Sequence, residues 1–317
     1  MCPFCFYFCM QIMLKTDMED KKSLAGAWVE AARPRTLPAS VSPVLLGCAL
    51  AYYDGMFDIT PAVLCLLVAL FAQIASNFAN DYFDFKKGAD REDRLGPERA
   101  VAEGWITPKA MLAGTFVMLG LACLSGLLLI CFADWRLIWV GLAIAICVLA
   151  YSAGPFPLAY NGLGDVCVLL FYGIIPVCFT YYIQTLNFSL LSFLLSVALG
   201  LLSVNILIVN NYRDYEQDKA ARKRTTIVLF GRRAGRVFYV LNECMAFLLV
   251  LPLILDAPWW ILFLFGILFA LCFYTTRELF TLEGRALNRT LGHTARNVFL
   301  FASVLSLLFL YIGGVSN

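Results

Sequence analysis

The sequence predicts an all-α membrane protein, a bundle of about nine transmembrane helices with an internal four-helix pseudo-repeat. Hydrophobic residues make up 61% of the 317 residues and charged residues only 15%, whereas soluble domains carry about 25% charged residues. The hydrophobic residues come in runs of about 20, the length that crosses the hydrocarbon core of a bilayer. A polar motif recurs four runs after its first occurrence, which indicates the repeat.

Hydropathy divides the chain into nine candidate spans. They lie at 37–53, 61–80, 110–132, 135–152, 165–184, 188–210, 237–255, 258–275 and 295–314. The first contains Pro38 and Pro43, which membrane helices tolerate when neighbouring helices satisfy the freed backbone groups. Residues 28–317 are therefore expected to form one transmembrane domain. Residues 1–27 form a separate N-terminal segment, in which Met13 or Met18 is the expected translation start.

The distribution of Lys and Arg predicts the orientation. Basic residues concentrate in the N-terminal segment and in the loops after spans 2, 6 and 8, whereas the loops after spans 1, 3, 5 and 7 hold only Arg136. Short loops rich in Lys and Arg stay in the cytoplasm. This alternation favours a multi-pass protein of the inner, cytoplasmic membrane with its N-terminus inside. The net charge of +2 provides no general attraction for nucleic acid.

Spans 2 and 6 end in matching polar segments at the same, cytoplasmic side. The first reads Asn80-Asp81-Tyr82-Phe83-Asp84-Phe85 and is followed by Asp90. The second reads Asn210-Asn211-Tyr212-Arg213-Asp214-Tyr215 and is followed by Asp218. Residues four apart share a helix face, so three pairs are expected to stack: Asn77 with Asp81, Asn80 with Asp84, and Asp214 with Asp218. Gly88 is expected to end the first helix, so that Asp90 folds back from a loop.

Carboxylates stacked near a membrane boundary require a cation, because uncompensated charge is costly there. Oxygen ligands with no His or Cys nearby suit Mg²⁺. Basic residues follow both motifs: Lys87, Arg94 and Arg99 after the first, and Lys219, Arg222, Lys223 and Arg224 after the second. Each basic residue alone is explained as well by cytoplasmic loop charge. The duplicated order, acidic and then basic, predicts a Mg²⁺–diphosphate site on the cytoplasmic side.

At these residues the chain resembles the UbiA superfamily of intramembrane aromatic prenyltransferases, over roughly residues 28–314. The resemblance is greatest to the branch that acts on 1,4-dihydroxy-2-naphthoate. It is carried by residues 32–38 with 44–47, 80–90 with 94–101, 151–165, and 210–214 with 218 and 223–225. Gly88 stands where the 4-hydroxybenzoate enzymes have the third residue of their NxxxDxxxD motif, which disfavours that substrate. Asp165 stands where the naphthoate branch often has Glu.

The resemblance implies Mg²⁺ as cofactor, a polyprenyl diphosphate as donor and 1,4-dihydroxy-2-naphthoate as acceptor, with demethylmenaquinol formed after loss of CO₂. The implied metal ligands are Asp84, Asp90, Asp214 and Asp218. The implied catalytic residues are Asp84, Asp214, Arg94, Lys223, Arg224 and Tyr151. The implied substrate-binding residues are Asn77, Asn80, Asp81, Lys87, Arg33, Arg35, Arg99, Asn210, Asn211, Tyr160 and Tyr172.

Other interpretations fit parts of the same pattern. Arg33 and Arg35 are also explained as cytoplasmic charge, and the three tyrosines as ordinary interfacial aromatics. A prenyltransferase for 4-hydroxybenzoate, homogentisate or a chlorophyll precursor would share the motifs. A transporter would share the helices and the repeat, but would place coupling carboxylates near mid-span rather than at helix ends. A purely structural membrane protein would have no use for duplicated Asp motifs. Glu243 within span 7 has no assigned role.

Overall fold

The structure is a computed structural model that describes residues 23–88 and 94–316, with only the backbone of Ser316. Asp90 and the expected start residues Met13 and Met18 lie outside this range. The α-helices of the described residues are α1 (Leu24–Ala32), α2 (Pro38–Tyr53), α3 (Ile59–Lys86), α4 (Pro108–Leu129), α5 (Leu137–Ala150), α6 (Gly164–Leu169), α7 (Ile175–Thr185), α8 (Leu190–Arg213), α9 (Tyr215–Ala220), α10 (Thr226–Leu255), α11 (Trp259–Thr281) and α12 (Leu287–Ser316). A π-helical turn at Leu170–Ile174 joins α6 to α7, so that these form one span.

Every predicted span falls on a helix, but the count of nine is not confirmed. Among the described residues, seven helices are long and apolar enough to cross a membrane. An eighth span results if Leu24–Thr36 and Pro38–Tyr53, which meet at an angle of 53°, are taken together. Helix α5 has only 14 residues, and at about 1.5 Å per residue it is shorter than the hydrocarbon core.

Capping side chains set where several helices begin. Asp58 accepts a hydrogen bond from the backbone N–H of Thr60 at the start of α3. Thr107 accepts from the Ala110 N–H at the start of α4, where Pro108 occupies the first helical position. Thr225 caps α10 by accepting from Val228. These caps satisfy backbone donors that a helix cannot pair internally.

The main core lies between α2, α7, α8 and the three C-terminal helices. Leu46, Leu199, Leu268 and Phe301 are among its fully buried members. Close approach of backbones holds the π-helical turn against α8: a Cβ on Gly173 would lie 2.5 Å from the Gly200 Cα. Small residues allow such contacts between membrane helices, where van der Waals packing drives association. The turn thereby positions Tyr172, which lies one residue before Gly173.

The two motif helices extend beyond their apolar spans. Helix α3 continues to Lys86 and α8 to Arg213, so that both Asp motifs lie at helix ends. Gly88 has a φ of +66°, a left-handed conformation that glycine adopts without strain, and it follows the end of α3 as expected. Asp214 lies between α8 and α9, so the second motif is not one continuous helix. Asp214 and Asp218 are nevertheless one helical turn apart, because the Asp218 N–H donates to the Asp214 carbonyl at 2.8 Å.

Candidate active site

The two motifs open onto one cavity of about 830 Å³. Asp84 lines it from the end of α3, while Asp214 and Asp218 line it from the end of α8 and from α9. Lys223, Arg94 and Arg99 line the same end. The rest of the cavity runs between α3, α4 and α5 and is lined by apolar residues, among them Val68, Leu129, Ile138 and Val148. The cavity therefore joins a charged head region to a long apolar region.

Asp84 is buried at the end of α3 and is held by two partners. The Arg99 guanidinium lies 3.2 Å from Asp84 Oδ2, and the Tyr160 hydroxyl donates to Asp84 Oδ1 at 2.8 Å. Both side chains of the ion pair are almost inaccessible to solvent. A buried charged pair of this kind fixes geometry, because removing one partner leaves the other charge uncompensated.

Two lysines, one after each motif, meet at the Tyr160 ring. Lys87 Nζ lies 4.3 Å and Lys223 Nζ 5.1 Å from the ring centroid. Lys87 also donates to the Ser152 carbonyl at 2.6 Å, and burial lowers its pKa, opposed by Asp84. Burial lowers the pKa of Lys223, but Asp84, Asp218 and Asp214 outweigh that effect and the net pKa is raised. Lys223 therefore stays charged beside the carboxylates of both motifs.

Asp218, a carboxylate of the second motif, has an oxygen that is free to bind a ligand. Its Oδ1 lies 3.7 Å from Lys223 Nζ, whereas its buried Oδ2 has no hydrogen-bond partner among the described residues. Burial raises the pKa of the Asp218 carboxyl to about 6, with Lys223 opposing the shift and Asp214 adding to it. An incoming cation would compensate both the unpaired oxygen and the neighbouring carboxylates.

Arg213 is a residue of this site that the sequence interpretation missed. It is 1% exposed and donates to Asp214 through Nε at 2.7 Å and Nη2 at 2.6 Å. It also donates to Asn210 at 2.8 Å and to Asn288 at 2.7 Å. Asn288 in turn donates to the Leu95 carbonyl at 2.9 Å. This network ties the loop after the first motif to the second motif.

Several predicted substrate-binding residues make contacts within the protein. Asp81 is buried and accepts from the backbone N–H groups of Ala100 at 3.1 Å and Val101 at 3.4 Å, so it anchors the loop that carries Arg99. Asn77 donates to the Ala32 carbonyl at 2.9 Å. Asn77 nevertheless lines the cavity. Four other predicted residues do not line it: Asp81, Lys87, Tyr160 and Arg224.

The remaining predicted residues line the cavity. They are Arg33, Arg35, Asn80, Asn210, Asn211, Tyr151 and Tyr172. The Tyr172 hydroxyl donates to Gln73, which also accepts from Ser40 at 3.0 Å. Gln73 and Asp165 also line the cavity. Their polarity within apolar spans is the sequence signal that marks them.

The carboxylate oxygens at the charged end of the cavity are of the type that binds a hard divalent cation such as Mg²⁺. In the part of the chain that the structure describes, no three His, Cys, Asp or Glu side chains are grouped as metal ligands. Mg²⁺ typically needs only one or two carboxylates, with substrate phosphates supplying further oxygens. Asp218, with its unpaired oxygen, and Asp84 and Asp214, on the same cavity, meet that requirement. Asp84 and Asp214 are each paired with an arginine here.

Comparison with known proteins identifies the family. A sequence profile described as the UbiA prenyltransferase family matches residues 40–291. The chain belongs to the UbiA prenyltransferase family. It is 39% identical to a 1,4-dihydroxy-2-naphthoate octaprenyltransferase of Haemophilus influenzae, with 67% of this chain and 71% of that protein covered. The Escherichia coli protein of the same name is 38% identical, with 70% and 74% covered.

Solved structures of the UbiA family share the fold. A UbiA homolog from Archaeoglobus fulgidus bound to GPP and Mg²⁺ superposes with a TM-score of 0.61 at 20% identity, covering 89% of this chain and 97% of that one. The chain is thus a multi-pass membrane protein of this family, and its apolar helices are the membrane-embedded part.

Proposed function

We propose that this protein transfers a polyprenyl group from an allylic polyprenyl diphosphate to 1,4-dihydroxy-2-naphthoate, with loss of CO₂, to give demethylmenaquinol. The observation that carries the proposal is the meeting of both Asp motifs at the charged end of one cavity with a long apolar region. Such a cavity suits a ligand with a diphosphate head and a hydrocarbon tail. The relatives named 1,4-dihydroxy-2-naphthoate octaprenyltransferase support the choice of acceptor.

The residues at the charged end bind and orient the diphosphate. Asp84, Asp214 and Asp218, together with Asp90, would hold Mg²⁺, which supplies Lewis-acid stabilisation of the leaving diphosphate when bound. Lys223 and Arg94 stabilise the negative charge that grows as the allylic C–O bond breaks. The neighbouring carboxylates raise the pKa of Lys223, which contacts Asp218, and Arg94 lies on the cavity wall. Lys87, stacked on Tyr160, keeps that ring and its hydroxyl against Asp84.

The acceptor ring lies at the boundary between the charged and apolar regions in this proposal. Tyr151 and Tyr172 line the cavity there, and aromatic faces stabilise cations. Arg33 or Arg35 binds the naphthoate carboxylate. The ring carbon that bears the carboxylate attacks the allylic carbon, and loss of CO₂ followed by tautomerisation gives the product. The membrane-embedded walls exclude water that would otherwise capture the allylic cation.

The proposed location is the inner membrane, with the N-terminus and the charged end of the cavity on the cytoplasmic side. The basic loops after α3 and α8 support this orientation. Both the water-soluble head of the donor and Mg²⁺ reach the site from that side.

Membranes that contain the protein are expected to prenylate 1,4-dihydroxy-2-naphthoate only with Mg²⁺ present. Asp84→Asn and Asp218→Asn should each reduce kcat/KM about 100-fold or more, because each removes a charge that holds the metal diphosphate. Asp256→Asn, between α10 and α11 and away from the motifs, is the matched control and should retain activity. Full activity in both motif variants would contradict the site. Preference for 4-hydroxybenzoate or homogentisate in the same assay would contradict the acceptor.

A further inference from the structure

Two arginines outside the catalytic cavity share one aromatic platform. Arg232 and Arg236 lie one helical turn apart on α10, so their side chains occupy the same face. Their guanidinium carbons lie 5.6 and 5.4 Å from the centroid of the Tyr212 ring. Arg232 also stacks on Tyr215 at 5.1 Å, and Arg236 on Phe280 at 5.1 Å. Both cations therefore contact the Tyr212 ring of α8, and each also contacts a second aromatic ring, from α9 or α11.

Among the described residues, no carboxylate forms an ion pair with either arginine. Within residues 23–88 and 94–316, neither arginine forms an ion pair or a hydrogen bond with protein, and the Nε of each is buried without a partner. Two adjacent cations repel each other, and buried unpaired donors are costly. Planar guanidinium groups match the oxygens of a phosphate. One phosphate group accepting from both arginines would remove the repulsion and satisfy the buried donors.

The surroundings of the pair indicate the source of that phosphate. The arginines directly precede the apolar stretch 237–255 of α10, at the end of the bundle where α8 and α11 also end. Large apolar side chains beside them are exposed: Phe230 by 65%, Val237 by 54% and Phe280 by 47%. A soluble anion would make no use of these side chains, whereas the acyl chains of a lipid would cover them. Basic pockets between membrane helices on the cytoplasmic side bind anionic head groups.

We propose that Arg232 and Arg236 bind the phosphate of an anionic phospholipid, with its acyl chains against Phe230, Val237 and Phe280. The site is separate from the catalytic cavity, since neither arginine lines that cavity. A bound lipid would fix the start of α10, where Gly231 has a φ of +85°, against Tyr212 at the end of α8. Tyr212 directly precedes Arg213, so the lipid site supports the second motif without contacting substrate.

The test compares lipid retention by the full chain purified from mixed phosphatidylglycerol and phosphatidylcholine nanodiscs, measured by native mass spectrometry. The paired change Arg232→Gln/Arg236→Gln is expected to reduce retained phosphatidylglycerol by about fivefold or more, with phosphatidylcholine unchanged. The matched control Arg233→Gln/Arg277→Gln removes two exposed arginines at the same end of the bundle and should retain wild-type binding. Equal loss in both pairs would mean general surface charge and would overturn the site.

Two further measurements keep the proposal testable if the glutamine pair does not fold. Arg232→Lys/Arg236→Lys keeps both charges but loses the planar donors, and it is expected to retain less phosphatidylglycerol than wild type. Unchanged retention would overturn the proposal. Inorganic phosphate added to wild-type protein should not displace the lipid. Displacement at equal concentrations of phosphate and lipid head group would assign the site to a free anion instead.

Discussion

Arg213 links the two halves of the candidate site at the level of a single side chain. Its guanidinium donates to Asp214, Asn210 and Asn288, and Asn288 binds the Leu95 carbonyl. The packing leaves no room on the loop side, since a Cβ on Gly96 would lie 2.7 Å from Arg213 Nη2. Arg213 is thus a positioning residue, which orients Asp214 and holds the loop carrying Arg94 and Arg99.

Arg213→Lys is expected to raise KM for the prenyl diphosphate about tenfold, equivalent to about 1.4 kcal/mol, with a smaller effect on kcat. Lysine keeps the charge but cannot donate in the three directions that the guanidinium fork provides. Arg233→Lys, at an exposed position on α10, is the control. Asn288→Ala should be non-additive with Arg213→Lys if both act through the loop. Strict additivity, or a change in thermal stability alone, would contradict this role.

Asp218 gives the site a pH dependence of definite sign. Its pKa is raised to about 6 by burial, and a metal ligand of this type must lose its proton before it binds. The Mg²⁺ concentration for half-maximal activity should be constant above about pH 7 and rise by up to about tenfold per unit below about pH 6. Titrating Mg²⁺ at several pH values checks this. A half-saturation concentration that stays constant through this range would contradict the assignment of Asp218.

At the scale of elements, hydropathy located the helices but not the ends that form the site. The apolar span ends at residue 80, whereas α3 runs to Lys86, because the polar residues Asp81 and Asp84 are also helical. The end of this helix was predicted from Gly88 and not from hydropathy. The break at Asp214 has no Gly or Pro to mark it. Arg213 was missed because an arginine in a basic cytoplasmic loop is usually explained by loop charge alone. Asp81 shares its motif with Asp84, and only the three-dimensional contacts show that it binds backbone.

The contact between the π-helical turn and α8 is a second feature that sequence patterns did not reveal. A Cβ on Gly200 would lie 2.8 Å from Leu169 Cδ1 and 3.0 Å from the Leu169 carbonyl oxygen. Gly200→Ala should therefore separate the two elements, destabilise the protein by about 1–3 kcal/mol and displace Tyr172 from the cavity wall. A lower thermal unfolding midpoint in detergent checks this. Gly120→Ala in α4, where a Cβ meets nothing within 4 Å, is the control, and equal midpoints for the two variants would contradict the packing argument.

At the scale of the whole molecule, the family and the multi-pass membrane fold followed from apolar runs and the duplicated motif. The predicted pseudo-repeat agrees with the matching ends of α3 and α8, and it stays a prediction. The apolar region of the cavity between α3, α4 and α5 could not be predicted from the sequence, because it depends on how these three helices pack against one another and not on the sequence of any single helix. In the proposed reaction, acidic residues from two distant segments of this arrangement act on one metal-bound diphosphate.

The most direct test is electron paramagnetic resonance of Mn²⁺, used in place of Mg²⁺, on the purified protein with a non-reactive prenyl thiodiphosphate. We expect one bound Mn²⁺ with hyperfine coupling to the phosphorus of the analogue, and loss of that signal in both Asp84→Asn and Asp218→Asn. Binding of Mn²⁺ without phosphorus coupling, or a signal that persists in either variant, would contradict a metal–diphosphate site shared by the two motifs.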